Sequence, residues 1–153
     1  MKVYKGGNGG SKGSLIQISE IHEIEIRCGS FIDALIINGR RYGGTGGKYK
    51  GGIKLGEDDS ILNIEVRAGG YLDWIRFTTK LGRIFEAGGS GGNYHDFANP
   101  KSICVKSGNY VDGIECEIVK QVTEYGDIRR KPGSVYNRVR VSERRVYTGT
   151  NRY

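Results

Sequence analysis

The stretch IEVRAGGYLDWI, residues 64–75, has two further copies in the chain, IEIRCGSFIDAL at residues 24–35 and ICVKSGNYVDGI at residues 103–114. Each copy reads apolar-x-apolar-basic-small-Gly-x-aromatic-aliphatic-Asp-x-apolar. The copies align without gaps, and their motif glycines lie 40 and 39 residues apart. Recurrence at a fixed period is typical of repeat architectures. We therefore predict a threefold pseudo-repeat, with units of about 40 residues, over residues 1–120.

A second motif, Gly-Gly-x-Gly-Gly, alternates with the first. It occurs at residues 6–10, 43–47 and 88–92, with Asn, Thr or Ser at its centre. An aromatic residue shortly precedes each copy: Tyr4, Tyr42 and Phe85. We call these segments the glycine loops. Two distinct motifs in alternating order support the internal repeat.

Composition narrows the fold class. Glycine accounts for 26 of the 153 residues and proline for two, whereas glycine is usually about 7% of a chain. Collagen is excluded because the glycines do not fall at every third residue. No apolar run approaches the roughly 20 residues of a membrane span. Each glycine inside a helix costs about 1 kcal/mol, so a helix-rich fold is disfavoured and an all-β domain is predicted.

Alternation of apolar and polar residues indicates the strands. Each Gly-x-aromatic-x-Asp segment joins two such runs and is predicted to be a hairpin loop that contains its Asp. Three small sheets cannot each bury a face alone, so they must pack around a shared axis. The predicted strands lie around residues 15–18, 23–27, 34–38, 61–67, 74–79, 102–106 and 113–119. The predicted inward residues are Ile26, Leu35, Val66, Ile75, Val105 and Ile114.

The net charge of +7 is concentrated at the C-terminal end. Residues 121–153 contain eight Lys/Arg and three acidic residues, whereas residues 1–120 are nearly neutral. A basic extension is typical of contacts with nucleic acid or an acidic partner, or of a solvated tail. Residues 134–141 also alternate like a strand. We predict that the extension is an added strand or a dimerisation arm.

Cysteine and histidine usage predicts neither a disulfide framework nor a metal site. There are three cysteines and two histidines. Strand alternation puts Cys104 and Cys116 on opposite faces of a sheet, where they cannot bond. A reducing compartment is the better match, and the first residues lack the apolar core of a secretory signal. We therefore expect no metal and no cofactor, and a chain compatible with cytoplasmic expression.

The loops have a structural and a functional interpretation. A motif Asp can simply accept backbone N–H groups and shape its turn, and the glycines can simply supply positive φ. Alternatively, each carboxylate and the neighbouring amides form a small polar crevice. A carboxylate accepts two hydroxyl protons in strong, charge-assisted bonds, which suits a neutral sugar. The Asp disfavours phosphate, and no Walker-type Gly-Lys-Ser/Thr follows the glycines.

The alternation of Gly-Gly-x-Gly-Gly with Gly-x-aromatic-x-Asp resembles the jacalin-related lectins, and within them the members whose three repeats all carry both motifs. The resemblance covers residues 1–120 and extends to residues 77–83 (FTTKLGR). It implies the β-prism I fold, in which three antiparallel four-stranded sheets form a prism with pseudo-threefold symmetry. It also implies sugar sites at one end of the prism, and many members are dimers.

The same resemblance implies which residues contact sugar. In mannose-binding members the Asp accepts the O4 and O6 hydroxyls, amides of its own loop reach O5 and O6, and the last glycine of a glycine loop reaches O3. Galactose-preferring members use a new N-terminus made by cleavage before a site glycine, whereas Gly6 lies within the chain, so mannose or glucose is favoured. The implied pairs are Asp33 with Gly47, Asp73 with Gly92, and Asp112 with Gly10. The implied loop residues are Ser30, Phe31, Gly70, Tyr71, Asn109 and Tyr110.

We therefore predict a non-catalytic lectin that binds mannose-type glycans through up to three sites, acting by avidity. A homodimer is expected, and a membrane partner is not. The alternative is a structural or interaction prism whose basic tail contacts an acidic partner or, less favoured, nucleic acid. A glycan hydrolase is disfavoured because it needs two carboxylates about 5–10 Å apart, and each repeat supplies one.

Overall fold

A computed structural model describes residues 1–119. Among the described residues the regular elements are short β-strands and a single 3₁₀ turn at Ile18–Glu20. In chain order the strands are β1 (Lys2–Gly6), β2 (Ser11–Lys12), β3 (Ile16–Gln17), β4 (Glu23–Cys28), β5 (Ile32–Ile37), β6 (Arg40–Gly43), β7 (Lys48–Lys54), β8 (Ile61–Ala68), β9 (Leu72–Thr79), β10 (Ile84–Gly88), β11 (Asn93–Ala98), β12 (Ser102–Ser107) and β13 (Val111–Glu117).

The strands form three antiparallel sheets, as predicted. Two sheets have the orders β6-β5-β4-β7 and β10-β9-β8-β11. The third has the order β1-β13-β12-β2, and β3 also pairs with β12. Its fourth strand is therefore broken into β2 and β3. The N-terminal strand β1 pairs with β13, so the two ends of the repeat region close the third sheet together.

The core lies between the three sheets. The six residues predicted to face inward are fully buried, each with 0% exposure, which confirms the predicted packing. The long aromatic side chains Phe77 and Phe97 are buried beside them. Burying one such apolar side chain contributes about 1.5–3 kcal/mol, and the shared core gives each small sheet a buried face that it could not obtain alone.

The sequence located the central strands better than the outer ones. The predicted runs correspond to β4, β5, β8, β9, β12 and β13, but β5, β9 and β13 begin two residues earlier than predicted. The run at 15–18 is a two-residue strand followed by the 3₁₀ turn. Alternation did not indicate β1, β2, β6, β7, β10 or β11, because at most one residue of each of these strands is fully buried.

The cysteines are free and buried. Cys116 pairs with Ile103 and packs in the core, whereas the neighbouring Cys104 pairs with Glu115 on the other face of the sheet. This confirms the prediction that the two thiols point to opposite sides. Residues 1–119 contain no helix long and apolar enough to cross a membrane. The basic extension, with its predicted strand at 134–141, lies outside the described residues.

Candidate functional site

The three motif aspartates occupy the same irregularity in three hairpins. In β4–β5, Arg27 is opposite Ala34 and Cys28 is opposite Ile32, which leaves Asp33 as one extra residue. Asp73 in β8–β9 and Asp112 in β12–β13 have the same position. Such a β-bulge interrupts the alternation of a strand and re-aims a side chain. The prediction that each Asp sits within the hairpin loop is wrong by a small margin: it is the second residue of the following strand.

The bulge also brings each Asp to a glycine loop. The N–H of the loop's second glycine donates to the Asp carbonyl oxygen: Gly44 to Asp33 and Gly7 to Asp112 at 2.9 Å, and Gly89 to Asp73 at 2.8 Å. These bonds pair Asp33 with residues 43–47, Asp73 with residues 88–92, and Asp112 with residues 6–10. We call the pairs the first, second and third site.

The last two glycines of each loop lie against the carboxylate. A β-carbon added at Gly46, Gly91 or Gly9 would be 2.8, 2.7 or 2.8 Å from Oδ2 of the paired Asp. Gly47, Gly92 and Gly10 lie against Oδ1 with φ of +70°, +75° and +76°, a region that favours glycine. The structure thus brings together the three Asp–Gly pairs that the resemblance implied. Side chains at these positions would cover the carboxylate.

The three carboxylates are buried beneath exposed glycines. Asp33, Asp73 and Asp112 are only 5%, 8% and 5% exposed, whereas the last two glycines of each loop are exposed. Burial raises the pKa of Asp73, and the Arg67 charge opposes that shift. Burial likewise raises the pKa of Asp112, opposed by the Lys106 charge and by its own backbone N–H. An ionised carboxylate only accepts hydrogen bonds, so each site is suited to a ligand that offers hydroxyl groups.

The hairpin turns place the remaining predicted residues at the same end of the prism. In each turn the motif glycine donates its N–H to the carbonyl two residues later, as Gly29 does to Phe31 at 3.0 Å. Ser30, Gly70 and Asn109 are exposed at the turns. No group of three or more His, Cys, Asp or Glu residues that could hold a metal ion occurs in residues 1–119.

The aromatic residues of the three turns meet one another. The ring centroids of Phe31 and Tyr71 are 5.0 Å apart, those of Tyr71 and Tyr110 are 4.9 Å apart, and those of Phe31 and Tyr110 are 5.8 Å apart. The rings are tilted or edge-to-face, which are favourable arrangements for aromatic pairs. The three turns therefore converge, and the sites that flank them are neighbours at one end of the prism.

Sequence reasoning missed a further set of residues, the basic residue of each motif. Arg27 donates from Nε to the carbonyl of Gly46 at 3.0 Å and from Nη2 to that of Gly47 at 2.9 Å. Arg67 makes the corresponding contacts with the second glycine loop, and Lys106 reaches the carbonyl of Asn8 at 3.3 Å. The sequence contained an indication of this role, because a basic residue occurs at the same motif position in all three repeats.

Comparison with known proteins adds a relative and a set of similar structures. No protein-family model matches the chain. The chain is 37% identical over 113 residues to griffithsin from Griffithsia sp. (strain Q66D336), an alignment that covers 72% of this chain and 89% of griffithsin.

Solved structures share the fold. Wild-type Malaysian banana lectin superposes with a TM-score of 0.67 and 25% identity, covering 76% of this chain and 95% of the lectin. A mannose-binding jacalin-related lectin from Ananas comosus superposes with a TM-score of 0.62 and 20% identity, covering 76% of this chain and 94% of the lectin. The identity to griffithsin, over most of both chains, decides family membership.

Proposed function

The chain belongs to the jacalin-related lectins, and from that premise we propose that it is a non-catalytic lectin that binds mannose-type glycans through up to three sites. The observation that carries the proposal is the threefold recurrence of one arrangement: a buried aspartate in a β-bulge with two bare glycines against its carboxylate. The Ananas comosus relative, which is a mannose-binding lectin, supports the same ligand class.

The chemistry of a hexose suits this arrangement. Two neighbouring hydroxyls can donate to one carboxylate, and such charge-assisted hydrogen bonds are roughly twice as strong as neutral ones. A third hydroxyl can accept from a glycine amide that no side chain covers. The 4-hydroxyl of mannose and glucose is equatorial and can point at the carboxylate together with the 6-hydroxyl. The 4-hydroxyl of galactose is axial and points away from the carboxylate. We therefore expect mannosides and glucosides to bind in preference to galactosides.

A single site should bind weakly. Methyl α-mannoside has 13 non-hydrogen atoms, and at about 0.3 kcal/mol per atom its dissociation constant is on the order of 1 mM. Three sites at one end of the prism can engage several arms of one branched glycan. If the spacing of the arms allows it, this raises the apparent affinity by roughly 10²–10⁴. The ligand of this protein is therefore proposed to be a branched, mannose-rich glycan rather than a free monosaccharide.

The absence of catalysis is part of the proposal. Glycoside hydrolysis needs two carboxylates about 5–10 Å apart across one glycosidic bond, and each proposed site has one Asp at its floor. The relatives are lectins, which supports binding without reaction. Incubation with mannan is expected to release no reducing sugar, and steady release would contradict this part of the proposal.

The sites can be mapped by NMR titration of the ¹⁵N-labelled full chain. Methyl α-mannoside is expected to shift the amide signals of Gly10, Gly47 and Gly92, together with those of the three hairpin turns. Methyl α-galactoside at the same concentration serves as the matched ligand and is expected to shift them far less. Equal shifts with both sugars, or shifts confined to the opposite end of the prism, would contradict the proposal.

The homodimer and the role of the extension remain predictions. Light scattering after size-exclusion chromatography of the full chain is expected to give twice the monomer mass. If the extension instead contacts nucleic acid, the full chain will bind duplex DNA with an affinity that falls steeply with salt. That result, combined with no sugar binding, would favour the alternative of an interaction module.

A further inference from the structure

The three sites have the same backbone conformation, but the side chain that hydrogen-bonds to the glycine loop differs between them. The last glycine of each loop has nearly the same φ, between +70° and +76°. The side chain that supports each loop from the neighbouring strand differs, because the basic motif residue is Arg27, Arg67 or Lys106. The difference between arginine and lysine therefore falls at one equivalent position of an otherwise repeated structure.

Each arginine bonds the peptide group that carries the last glycine's amide. The carbonyl of Gly46 and the N–H of Gly47 belong to one planar peptide unit, so fixing one fixes the direction of the other. Arg27 Nε donates to that carbonyl at 3.0 Å. In the second site Arg67 Nε is shared between the carbonyls of Ser90 and Gly91, each at 3.1 Å, and its bond to Gly91 orients the N–H of Gly92.

Each guanidinium also holds the next peptide. Arg27 Nη2 donates to the carbonyl of Gly47 at 2.9 Å, and Arg67 Nη2 donates to that of Gly92 at 3.0 Å. The planar fork of arginine presents two donors in a fixed geometry, which an ammonium group cannot do. Both peptide units that flank the last glycine are thus tied to β4 or β8.

The third site lacks this arrangement. Lys106 Nζ reaches the carbonyl of Asn8 at 3.3 Å, which orients the N–H of Gly9 and not that of Gly10. The ammonium also lies 5.5 Å from the centre of the Tyr4 ring. The Tyr4 hydroxyl holds the start of the loop by donating to the carbonyl of Gly7 at 2.6 Å. The carbonyls of Gly7 and Asn8 belong to peptide units that come before the one that carries the Gly10 N–H, so neither bond orients that N–H.

We propose that Arg27 and Arg67 are positioning residues that fix the sugar-facing amides of the first and second sites, and that Lys106 leaves the third site, at Asp112, with the weakest affinity. The inference rests on the proposed function. A preformed amide loses less entropy when it binds. Lysine retains the positive charge of arginine, so exchanging the two residues tests geometry rather than charge.

The test compares one site at a time in the full chain. The double variant Asp33→Ala/Asp112→Ala leaves the second site, and Asp33→Ala/Asp73→Ala leaves the third. Binding of methyl α-mannoside is measured by NMR titration before and after adding Arg67→Lys to the former and Lys106→Arg to the latter. Arg67→Lys should weaken binding by about 3- to 10-fold, and Lys106→Arg should strengthen it by a similar factor. Arg76→Lys is the matched control in the second-site background, because Arg76 pairs with Glu86 in the same sheet, and should leave the affinity unchanged.

A sugar-free measurement separates this inference from the proposed function. Amide ¹⁵N order parameters of the unaltered chain should be higher at Gly47 and Gly92 than at Gly10, and Arg67→Lys should lower that of Gly92 alone. A merely structural role would change the melting temperature without this local pattern. Equal order parameters, with sugar affinities that do not respond to either exchange, would overturn the inference. If the unaltered chain binds no mannoside, the proposed function fails, and the order parameters still decide whether the arginines fix these amides.

Discussion

Gly44 of the first site lies against the main chain of Asn109, a residue of the third site's hairpin turn. A β-carbon at Gly44 would be 3.0 Å from the Asn109 carbonyl carbon and closer still to the carbonyl oxygen. Gly7 of the third site lies in the same way against Gly70 of the second site's turn. In these two loops the second glycine therefore serves two sites, because its N–H donates to the carbonyl of its own Asp and its α-carbon packs closely against the neighbouring site's turn.

The substitution Gly44→Ala should destabilise the fold and disturb two sites. The added methyl group meets backbone, which cannot move aside as a flexible side chain can, and such overpacking typically costs about 1–3 kcal/mol. Urea unfolding followed by circular dichroism measures the cost. In NMR spectra the amide signals of both residues 43–47 and residues 108–112 should shift.

Gly89→Ala is the matched control. Gly89 has the equivalent position in the second site, but the nearest atom to an added β-carbon is the Ser30 carbonyl oxygen at 3.5 Å, an ordinary contact distance. We expect a change in the free energy of unfolding within about 0.5 kcal/mol. Equal costs for the two substitutions would show that close approach does not explain these glycines.

The sequence predicted the core of each repeat well because the signals there are strong. Ile64–Ala68 and the residues after Asp73 alternate cleanly, since one face is fully buried. Strands such as Lys48–Lys54 and Asn93–Ala98 are mostly exposed, so burial does not impose a pattern on them. The break between β2 and β3 also has no counterpart in the alternating pattern.

The residues of the site could be predicted from the sequence, but the backbone arrangement that brings them together could not. The Asp and glycine residues were identified because their motifs occur three times. The bulge that presents Asp33 was missed because two-residue alternation gives no sign of an extra residue. The two interpretations of the glycines also prove compatible: Gly47 needs its positive φ and lies against the carboxylate as well. The arginine contacts depend on where a strand and a glycine loop meet in space, which spacing along the chain does not reveal.

Replacing Asp73 or Asp112 by asparagine should stabilise the fold. Burial raises the pKa of Asp73 and of Asp112, which means that the ionised carboxylate is less favourable in the folded state than in the unfolded chain. Neutral asparagine of similar shape removes that penalty at pH 7. Thermal unfolding of Asp73→Asn and Asp112→Asn should therefore show higher midpoints than the unaltered chain, although sugar binding at the altered site is lost.

Asp59→Asn should have the opposite effect on stability. Burial raises the pKa of Asp59, but hydrogen bonds from the Leu81 and Ser60 N–H groups, together with the nearby Thr79 side chain and the Arg83 charge, outweigh burial and lower the pKa overall. The ionised form therefore stabilises the fold above the ordinary aspartate pKa, and this stabilisation is lost as the pH falls. If Asp73→Asn and Asp112→Asn lowered the midpoint as Asp59→Asn does, the ionised carboxylates of Asp73 and Asp112 would not be destabilising the fold, and the prediction would be wrong.

Sugar binding should weaken in mild acid while the protein is still folded. A protonated carboxyl group cannot accept two hydroxyl protons as the carboxylate does. Since the pKa values of Asp73 and Asp112 are raised, affinity at these sites should begin to fall at a pH above about 3.9, the ordinary aspartate value. Calorimetric titration of the single-site variants between pH 7 and pH 4 measures this, with circular dichroism as the check on folding. Constant affinity across that range would exclude the carboxylate as the acceptor.

The role of the three aspartates in sugar binding is tested most directly with the triple variant Asp33→Ala/Asp73→Ala/Asp112→Ala on a surface that carries branched, mannose-rich glycan. The control removes three exposed acidic residues by Glu20→Ala/Glu57→Ala/Asp58→Ala, which changes the net charge equally. Surface plasmon resonance should show full binding by the unaltered chain and the control, and no binding by the aspartate variant, whose circular dichroism spectrum should remain that of the folded prism. Undiminished binding by the folded triple-aspartate variant would show that these carboxylates do not bind the glycan.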